Sequence, residues 1–173
     1  MDLTSPWRVA YVRSRQEKEL ARHLLQHRVP FYLPLAEKRV RRAGRQFVSH
    51  LPLFPGYVFF RGAAGERRTA VESDRVVSIL EVADQPLLAA ELASLWRLQE
   101  SGAPLVPVPY LGPGDAVKVT EGPFRGFSGT VLREKGRTRL VVSVTFLRQS
   151  VAAEIEREAL APLARPQQAR RAV

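Results

Sequence analysis

The stretch Leu51–Arg61 constrains the fold of this chain more than any other part of its sequence. Pro52 and Pro55 fix φ and lack backbone donors, so a regular strand cannot begin before the following glycine. The next four residues, Tyr57-Val58-Phe59-Phe60, are all apolar. Because a strand covered on one face alternates apolar with polar residues, this pattern predicts a central strand in a sheet covered on both faces.

Phe54 lies between the two prolines, where little regular structure can bury it. The simplest interpretation of the whole stretch is a core strand with its preceding turn. The alternative is that Phe54 is exposed on a stiff turn and docks into a partner.

Composition limits the class of protein. The 173 residues contain no cysteine, which excludes disulfides and thiolate metal sites and is typical of a reducing cytosol. The N-terminus has no signal-peptide pattern, and no apolar run is long enough for a membrane span, so we expect a soluble, cytoplasmic protein without membrane contact. The net charge of +10, shared equally between residues 1–100 and 101–173, predicts phosphate-rich partners.

The N-terminal part predicts an α+β fold, an antiparallel sheet flanked by helices in an α/β sandwich. A first strand starts at Trp7, and Ser14 with Glu17 fits a capping box that opens a helix. Phe31–Val40 predicts a second strand. The remaining elements are strands at Phe47–Leu51 and Val76–Val82, a short helix at Arg67–Ser73, and an amphipathic helix through Leu88, Leu92, Leu95 and Trp96.

The composition changes after residue 101. Prolines crowd residues 102–113, which is too much proline for a regular element and predicts a stiff, extended linker. Residues 114–163 then show short strand patterns separated by glycine-rich turns, which predict a small β-barrel. The domains expected are therefore 6–101, a linker 102–113, 114–163, and a basic, disordered tail 164–173.

Catalytic patterns are missing from the sequence. His23 and His27 are four residues apart with Glu19 nearby, a spacing that can hold a metal. A solvated helix flank explains them better, because no HExxH pattern is present. There is no cysteine nucleophile and no Gly-x-Ser-x-Gly elbow. We therefore expect no enzyme, no catalytic or metal residues and no cofactor.

A basic loop precedes the aromatic stretch, with five cations among eight residues: Lys38, Arg39, Arg41, Arg42 and Arg45. Such a run is often only a solvated hairpin tip. On a protein of this charge, a projecting hairpin is also a reasonable contact for a DNA or RNA backbone, a contact that positions a protein without reading sequence.

Two motifs resemble a known family. Gly114–Val131 resembles the KOW motif of NusG/Spt5 transcription factors and some ribosomal proteins. Phe54-Pro-Gly-Tyr-Val-Phe59 resembles the signature of the NusG N-terminal domain, and Trp7 and Glu17 match the starts of its first strand and helix. Because both motifs occur in the right order, the chain is identified as a member of this family over residues 6–163.

The resemblance implies a transcription elongation and antitermination factor that binds the clamp helices of RNA polymerase and suppresses pausing. Trp7, Phe54 and Tyr57 match its polymerase-binding residues, and the basic loop would face upstream or non-template DNA. Phe146 and Leu147 fall near the position where its KOW domain contacts a ribosomal protein or Rho. A monomer is expected.

Segments such as Pro107–Leu111 are similar to specialised paralogues of the RfaH/UpxY/LoaP kind, some of which refold the KOW domain into helices. Val141, Val142 and Val144 favour strand here, so we predict a barrel. The alternative function is a KOW-containing RNA-binding protein acting in ribosome assembly or translation. That function predicts steeply salt-dependent RNA binding that does not need Phe54 or Tyr57.

Overall fold

The computed structural model describes residues 5–42, 44–110, 116–120, 125–126, 128–134, 137–155 and 160–162. The predicted disordered tail at 164–173 lies outside these residues, as do parts of the KOW-like motif. The elements in chain order are β1 (Trp7–Val12), α1 (Glu17–Gln26), β2 (Phe31–Tyr32), β3 (Leu35–Arg42), β4 (Arg45–Pro52), β5 (Tyr57–Arg61), α2 (Ala64–Glu72), β6 (Val76–Glu81), α3 (Gln85–Glu100), β7 (Val106–Val108), β8 (Ala116–Val119), β9 (Ser128–Glu134), β10 (Arg137–Val144), a 3₁₀ turn (Thr145–Leu147), β11 (Gln149–Glu154) and β12 (Leu160–Pro162).

The N-terminal part is a sheet with helices on both faces. Its antiparallel strands have the order β2-β5-β1-β6. On one face, Leu20 and Leu24 of α1 and Ala70 of α2 share a cluster with the sheet. On the other face, the leucines of α3 pack with Val9 and Phe59. The predicted α/β sandwich is the fold of this part.

The central-strand prediction for β5 is confirmed. It pairs with β1 on one side and β2 on the other. Val58 and Phe60 point into the cluster under α1 and α2, whereas Phe59 points into the cluster under α3. All three side chains are fully buried, because successive residues of a strand face opposite sides of a covered sheet.

The predicted strand Phe31–Val40 is two separate strands. Only Phe31 and Tyr32 pair with β5, and the chain then leaves the sheet at Leu33-Pro34. Proline cannot donate to a ladder, so the break falls there. β3 and β4 beyond it pair only with each other within the described residues and form a two-stranded ribbon.

The C-terminal part is a six-stranded sheet with the order β12-β8-β9-β10-β11-β7. Residues 137–154 are strands and a short turn, as predicted, and not helices. The expectation that residues 102–113 hold no regular element is wrong, because β7 pairs with β11 there. Pro107 lies in β7, which is tolerated because β7 is an edge strand.

Candidate protein-docking and nucleic-acid interface

The signature turn Phe54-Pro55-Gly56-Tyr57 has the type II pattern, with proline at the second position and a positive φ of 86° at Gly56. The amide of Tyr57 donates to the carbonyl of Phe54 at 3.1 Å and closes the turn. A Cβ at position 56 would lie 3.2 Å from Cε2 of Tyr11, so a side chain there would also crowd the Tyr11 ring. Sequence and packing therefore fix this turn together.

Three neighbouring segments hold the turn in place. The amide of Val12 donates to the carbonyl of Gly56 at 2.8 Å, and the amide of Leu53 donates to Pro34 at 2.9 Å. The amide of Gly56 donates to Oε1 of Glu17 at 2.8 Å. The predicted capping box of Ser14 and Glu17 is thus wrong: α1 starts without a side-chain cap, and Glu17 is used by the turn.

Phe54 is not an exposed knob. Only 1% of its surface is accessible, and its ring meets Phe59 edge-on with the centroids 6.1 Å apart. The expectation of exposure is wrong because the flanking prolines prevent a ladder but do not prevent the ring from turning inward. An apolar ring gains free energy by leaving water, and the core under α3 accepts it.

Trp7 and Tyr57 are half-buried on the same sheet face as Phe59. The structure does not place them side by side: Trp7 pairs with Arg61 and Tyr57 with Tyr11, at opposite ends of the β1–β5 ladder, roughly 13 Å apart. The guanidinium of Arg61 lies 4.6 Å from the centroid of the Trp7 ring. The predicted docking residues therefore share a face but form no single compact patch.

Tyr11 is a candidate residue that the sequence analysis missed. This residue is 42% exposed, and its ring lies 5.4 Å, centroid to centroid, from that of Tyr57. The alternation of the first strand puts Tyr11 on the face of Trp7. Its contact with Tyr57, however, depends on the pairing of β1 with β5, which no local sequence pattern encodes.

An apolar cleft of about 700 Å³ lies beside the signature turn. Leu51, Leu53 and Pro55 line it from the turn side, and Leu105 lines it from the segment after α3. Charged side chains of both signs also line it, namely Arg15, Lys18 and Lys38 with Glu17 and Glu37. The cleft offers an apolar partner a concave surface with a charged rim.

The ribbon of β3 and β4 carries the predicted nucleic-acid-binding residues. Lys38, Arg39, Arg41 and Arg45 are exposed, and none of the ion pairs within the described residues involves them. Arg42 is paired with Arg45 in the ladder, and its side chain lies outside what the structure describes. The hairpin prediction is confirmed, and the four cations whose side chains the structure describes face solvent.

The 3₁₀ turn between β10 and β11 contains the predicted KOW partner residues. Phe146 is 37% exposed, whereas Leu147 is half-buried against the main core cluster. In the same turn, Thr145 donates from its amide and its hydroxyl to the Glu91 carboxylate of α3, the hydroxyl at 2.6 Å. This turn is therefore also the place where the C-terminal sheet meets the N-terminal domain.

Burial raises the pKa of Glu91 above its ordinary value, while the hydrogen bonds from Thr145 lower it and the charge of Asp84 raises it further. Burial likewise raises the pKa of Tyr32, whose hydroxyl donates to Gln99.

His23 contacts the carbonyl of Thr69 through Nε2 at 2.9 Å, which ties α1 to α2. No group of three or more metal-ligating side chains occurs in the described part of the chain.

Comparisons with known proteins decide the family. The family model "NusG: Transcription termination factor nusG" matches residues 5–91. The chain belongs to the NusG family. A KOW motif matches residues 113–138. The NusG match contains the signature turn and the ribbon, whereas Phe146 and Leu147 lie beyond the KOW match.

Curated NusG relatives match most of the chain. One is the "Transcription termination/antitermination protein NusG" of Pseudomonas aeruginosa, 29% identical over 167 residues, covering 87% of this chain and 94% of the relative. The protein of that name from Pasteurella multocida is 33% identical over 121 residues, covering 65% of this chain and 66% of its own. The protein of that name from Vibrio vulnificus is 28% identical over 154 residues, covering 82% of this chain and 85% of the relative.

A solved structure supports the NusG fold. The structure titled "Domain interaction in Thermotoga maritima NusG" aligns with a TM-score of 0.51 at 17% identity, covering 92% of this chain and 98% of that one. The predicted fold class, an α/β sandwich followed by a small β-rich KOW domain, is confirmed. No helix in the described residues has the length and apolar character needed to cross a membrane.

Proposed function

We propose that this NusG-family protein is an elongation and antitermination factor that docks on the clamp helices of RNA polymerase and suppresses pausing. The observation that carries the proposal is the signature turn, which hydrogen bonds from separate segments hold rigid beside two accessible tyrosines. The role is binding rather than catalysis. The protein would act in the cytoplasm, where polymerase and DNA are present.

The docking surface is proposed to be the turn, its tyrosines and the adjoining cleft. Phe54 supports the turn from beneath, and Tyr57 and Tyr11 present rings at its edge. The cleft beside Pro55 can accept apolar side chains of a helix. Partly exposed aromatic residues over an apolar core are typical anchors of an interface. Trp7, at the far end of the ladder, would lie at the edge of this surface.

Co-purification with core RNA polymerase tests the docking surface. The double variant Tyr11→Ala, Tyr57→Ala is expected to weaken binding by about tenfold or more, the loss of at least one aromatic anchor. Val71→Ala is the control, since Val71 is 49% exposed on α2 and belongs to the opposite side of the sheet. Circular dichroism checks that each variant is folded.

Phe54 requires a gentler substitution. Removing this buried ring with alanine is expected to cost about 3–5 kcal/mol of stability, which would obscure any effect on binding. Phe54→Leu keeps an apolar side chain and is expected to weaken polymerase binding less than the tyrosine variant does. If wild type ignores polymerase and follows ribosomes or RNA, the proposal fails and the alternative role in ribosome assembly or translation replaces it.

The ribbon is proposed to contact upstream or non-template DNA. Lys38, Arg39, Arg41 and Arg45 are exposed along it and Arg42 lies at its tip, so the ribbon suits phosphate contacts that do not read sequence. A protein held at polymerase by one surface and at DNA by another would stay on the transcription complex longer.

The KOW domain is proposed to recruit a second partner, a ribosomal protein or Rho, through Phe146 and Leu147. Phe146 is accessible in the 3₁₀ turn. A domain tethered to polymerase raises the effective concentration of its partner near the transcript. The assignment to a specialised paralogue and a monomeric state remain predictions.

A further inference from the structure

The ribbon of β3 and β4 exposes apolar side chains that nothing in the described structure covers. It pairs with neither sheet, and the side chains from Arg45 to Leu51 are all exposed. Phe47 and Val48 are both 52% exposed. Solitary hairpins are marginally stable in water, and an aromatic ring left in solvent near a hairpin tip adds little to that stability.

The register of the ribbon puts cations around Phe47. Residues opposite each other in an antiparallel pair project from the same face, so Phe47 shares a face with Ser49 and Lys38, which are paired. Arg45, two residues before Phe47 on the same strand, also lies on this face. Val48 lies on the other face, opposite Arg39. Phe47 thus has a cation on either side of it along the ribbon.

Charge decides which partner suits this face. Five Lys and Arg residues and no acidic residue occur from 38 to 50, and Glu37 at the base contacts His50 at 3.7 Å. Two ribbons of this charge repel each other, so a second copy of the chain is a poor occupant. A polyanion, in contrast, is complementary in charge to the ribbon. A phenyl ring stacks only on an unpaired, unstacked base, so an aromatic flanked by cations is typical of single-strand binding.

We propose that Phe47 is a base-stacking platform for single-stranded DNA, with Lys38 and Arg45 contacting the phosphates on either side of the stacked base. This inference deepens the proposed function and rests on it for the source of the strand, the non-template strand displaced beside polymerase. The phosphate contacts already proposed for the ribbon are thereby joined by a contact between Phe47 and a base. Stacking accepts every base, so little sequence preference is expected.

Fluorescence anisotropy on the full chain tests the proposal, using labelled oligodeoxythymidine of about 12 nucleotides, a length within the usual single-strand site sizes. Phe47→Ala is expected to raise the Kd by roughly tenfold, the effect of losing one stacked base. Phe47→Trp should restore binding and Phe47→Leu should not, because stacking needs a ring. Val48→Ala is the matched control, with the same exposure on the opposite face, and should leave the Kd nearly unchanged.

Salt dependence separates stacking from charge. Phe47→Ala should leave the slope of log Kd against log salt unchanged, whereas Arg45→Gln should reduce it by roughly 0.7, the effect of one phosphate contact on a single strand. The same DNA as a duplex should bind wild type and Phe47→Ala equally, because its bases are already stacked. Tighter binding of the duplex than of the single strand by wild type would contradict the proposal.

Other outcomes would overturn the inference. Equal losses in Phe47→Ala and Val48→Ala, or full binding by Phe47→Leu, would show that no stacking occurs. Tighter binding of oligouridine would identify RNA as the occupant. Loss of polymerase co-purification by Phe47→Ala, with DNA binding intact, would make the ribbon a protein contact. Conversely, a Phe47-dependent DNA complex in a protein that ignores polymerase would refute the proposed function and leave the stacking site standing.

Discussion

Glu17 is one of two buried polar side chains among the described residues, the other being Ser150. Its Oε1 accepts a hydrogen bond from the amide of Gly56, which joins the first turn of α1 to the signature turn. Without this carboxylate the Gly56 amide would lose its partner in a partly buried site. Glu17 thus positions the turn on which the docking proposal depends.

Glu17→Ala is expected to lower the free energy of unfolding by about 1–3 kcal/mol, since the partly buried Gly56 amide loses its charged acceptor. Urea denaturation measures it. Glu19→Ala is the matched control: Glu19 is two residues away, and its ion pair with Arg22 at 2.5 Å is on the surface, where such pairs contribute about 0–1 kcal/mol. Similar losses in the two variants would contradict the role assigned to Glu17.

The helix α3 is the element that organises the molecule. Gln85 near its start accepts from the amide of Trp7 at 2.7 Å and donates to the carbonyl of Trp7 at 2.8 Å. Gln99 near its end accepts from the Tyr32 hydroxyl and donates to the carbonyl of Leu35 at 2.8 Å. These two glutamines fix both ends of α3 on the sheet, and its leucines fill the space between.

Asp84 caps α3, and its carboxylate accepts from the amide of Leu87 at 2.9 Å. Asp84→Ala is expected to cost about 1 kcal/mol of stability, because a helix amide loses its acceptor. Asp84→Asn keeps the acceptor and should be nearly neutral. Thermal and urea unfolding of the two variants, compared with wild type, measure how much the cap contributes to stability. An equal effect of both substitutions would mean that the charge, not the hydrogen bond, matters.

The helix α3 lies between the two domains. Its buried leucines belong to one cluster with residues of both sheets, including Val9 of β1 and Leu140 of β10. Glu91 on α3 binds Thr145 of the KOW domain. The structure therefore shows the two domains in contact through one helix.

Stability should depend on pH through Glu91. Its raised pKa means that the folded chain binds this proton more tightly than the unfolded chain, so stability is lost as pH rises from the ordinary value of 4.5 through the raised pKa. Glu91→Gln removes the titration and should gain stability relative to wild type over that window, by less than about 1 kcal/mol for a half-exposed group. Urea unfolding at several pH values measures this difference.

Glu100→Gln is the control, since Glu100 is exposed at the far end of α3. The difference between the two variants separates the Glu91 site from the general loss of one carboxylate on α3. A Glu91→Gln variant that loses stability relative to wild type as pH rises would reverse the sign and contradict the role of burial at Glu91.

Local sequence patterns predicted the family and most of the elements, but not the break between β2 and β3 or the strand β7. Proline and glycine positions and apolar periodicity are local properties, so they predicted the turn at Phe54–Tyr57, the central strand β5 and the strands of the KOW domain. In two places a local rule failed because of a partner far away in the chain. Pro107 lies in a strand because β11 offers an edge, and Glu17 leaves its cap because the Gly56 amide needs an acceptor.

Tertiary structure alone decided which surface is accessible. Phe54 is buried because Phe59 and the core under α3 receive its ring, and Tyr11 joins Tyr57 because β1 pairs with β5. The exposure of Phe47 follows from the ribbon leaving the sheet at Pro34. Burial and strand pairing depend on contacts between residues that are far apart in the chain. Local sequence patterns do not show which of these residues lie close together in space.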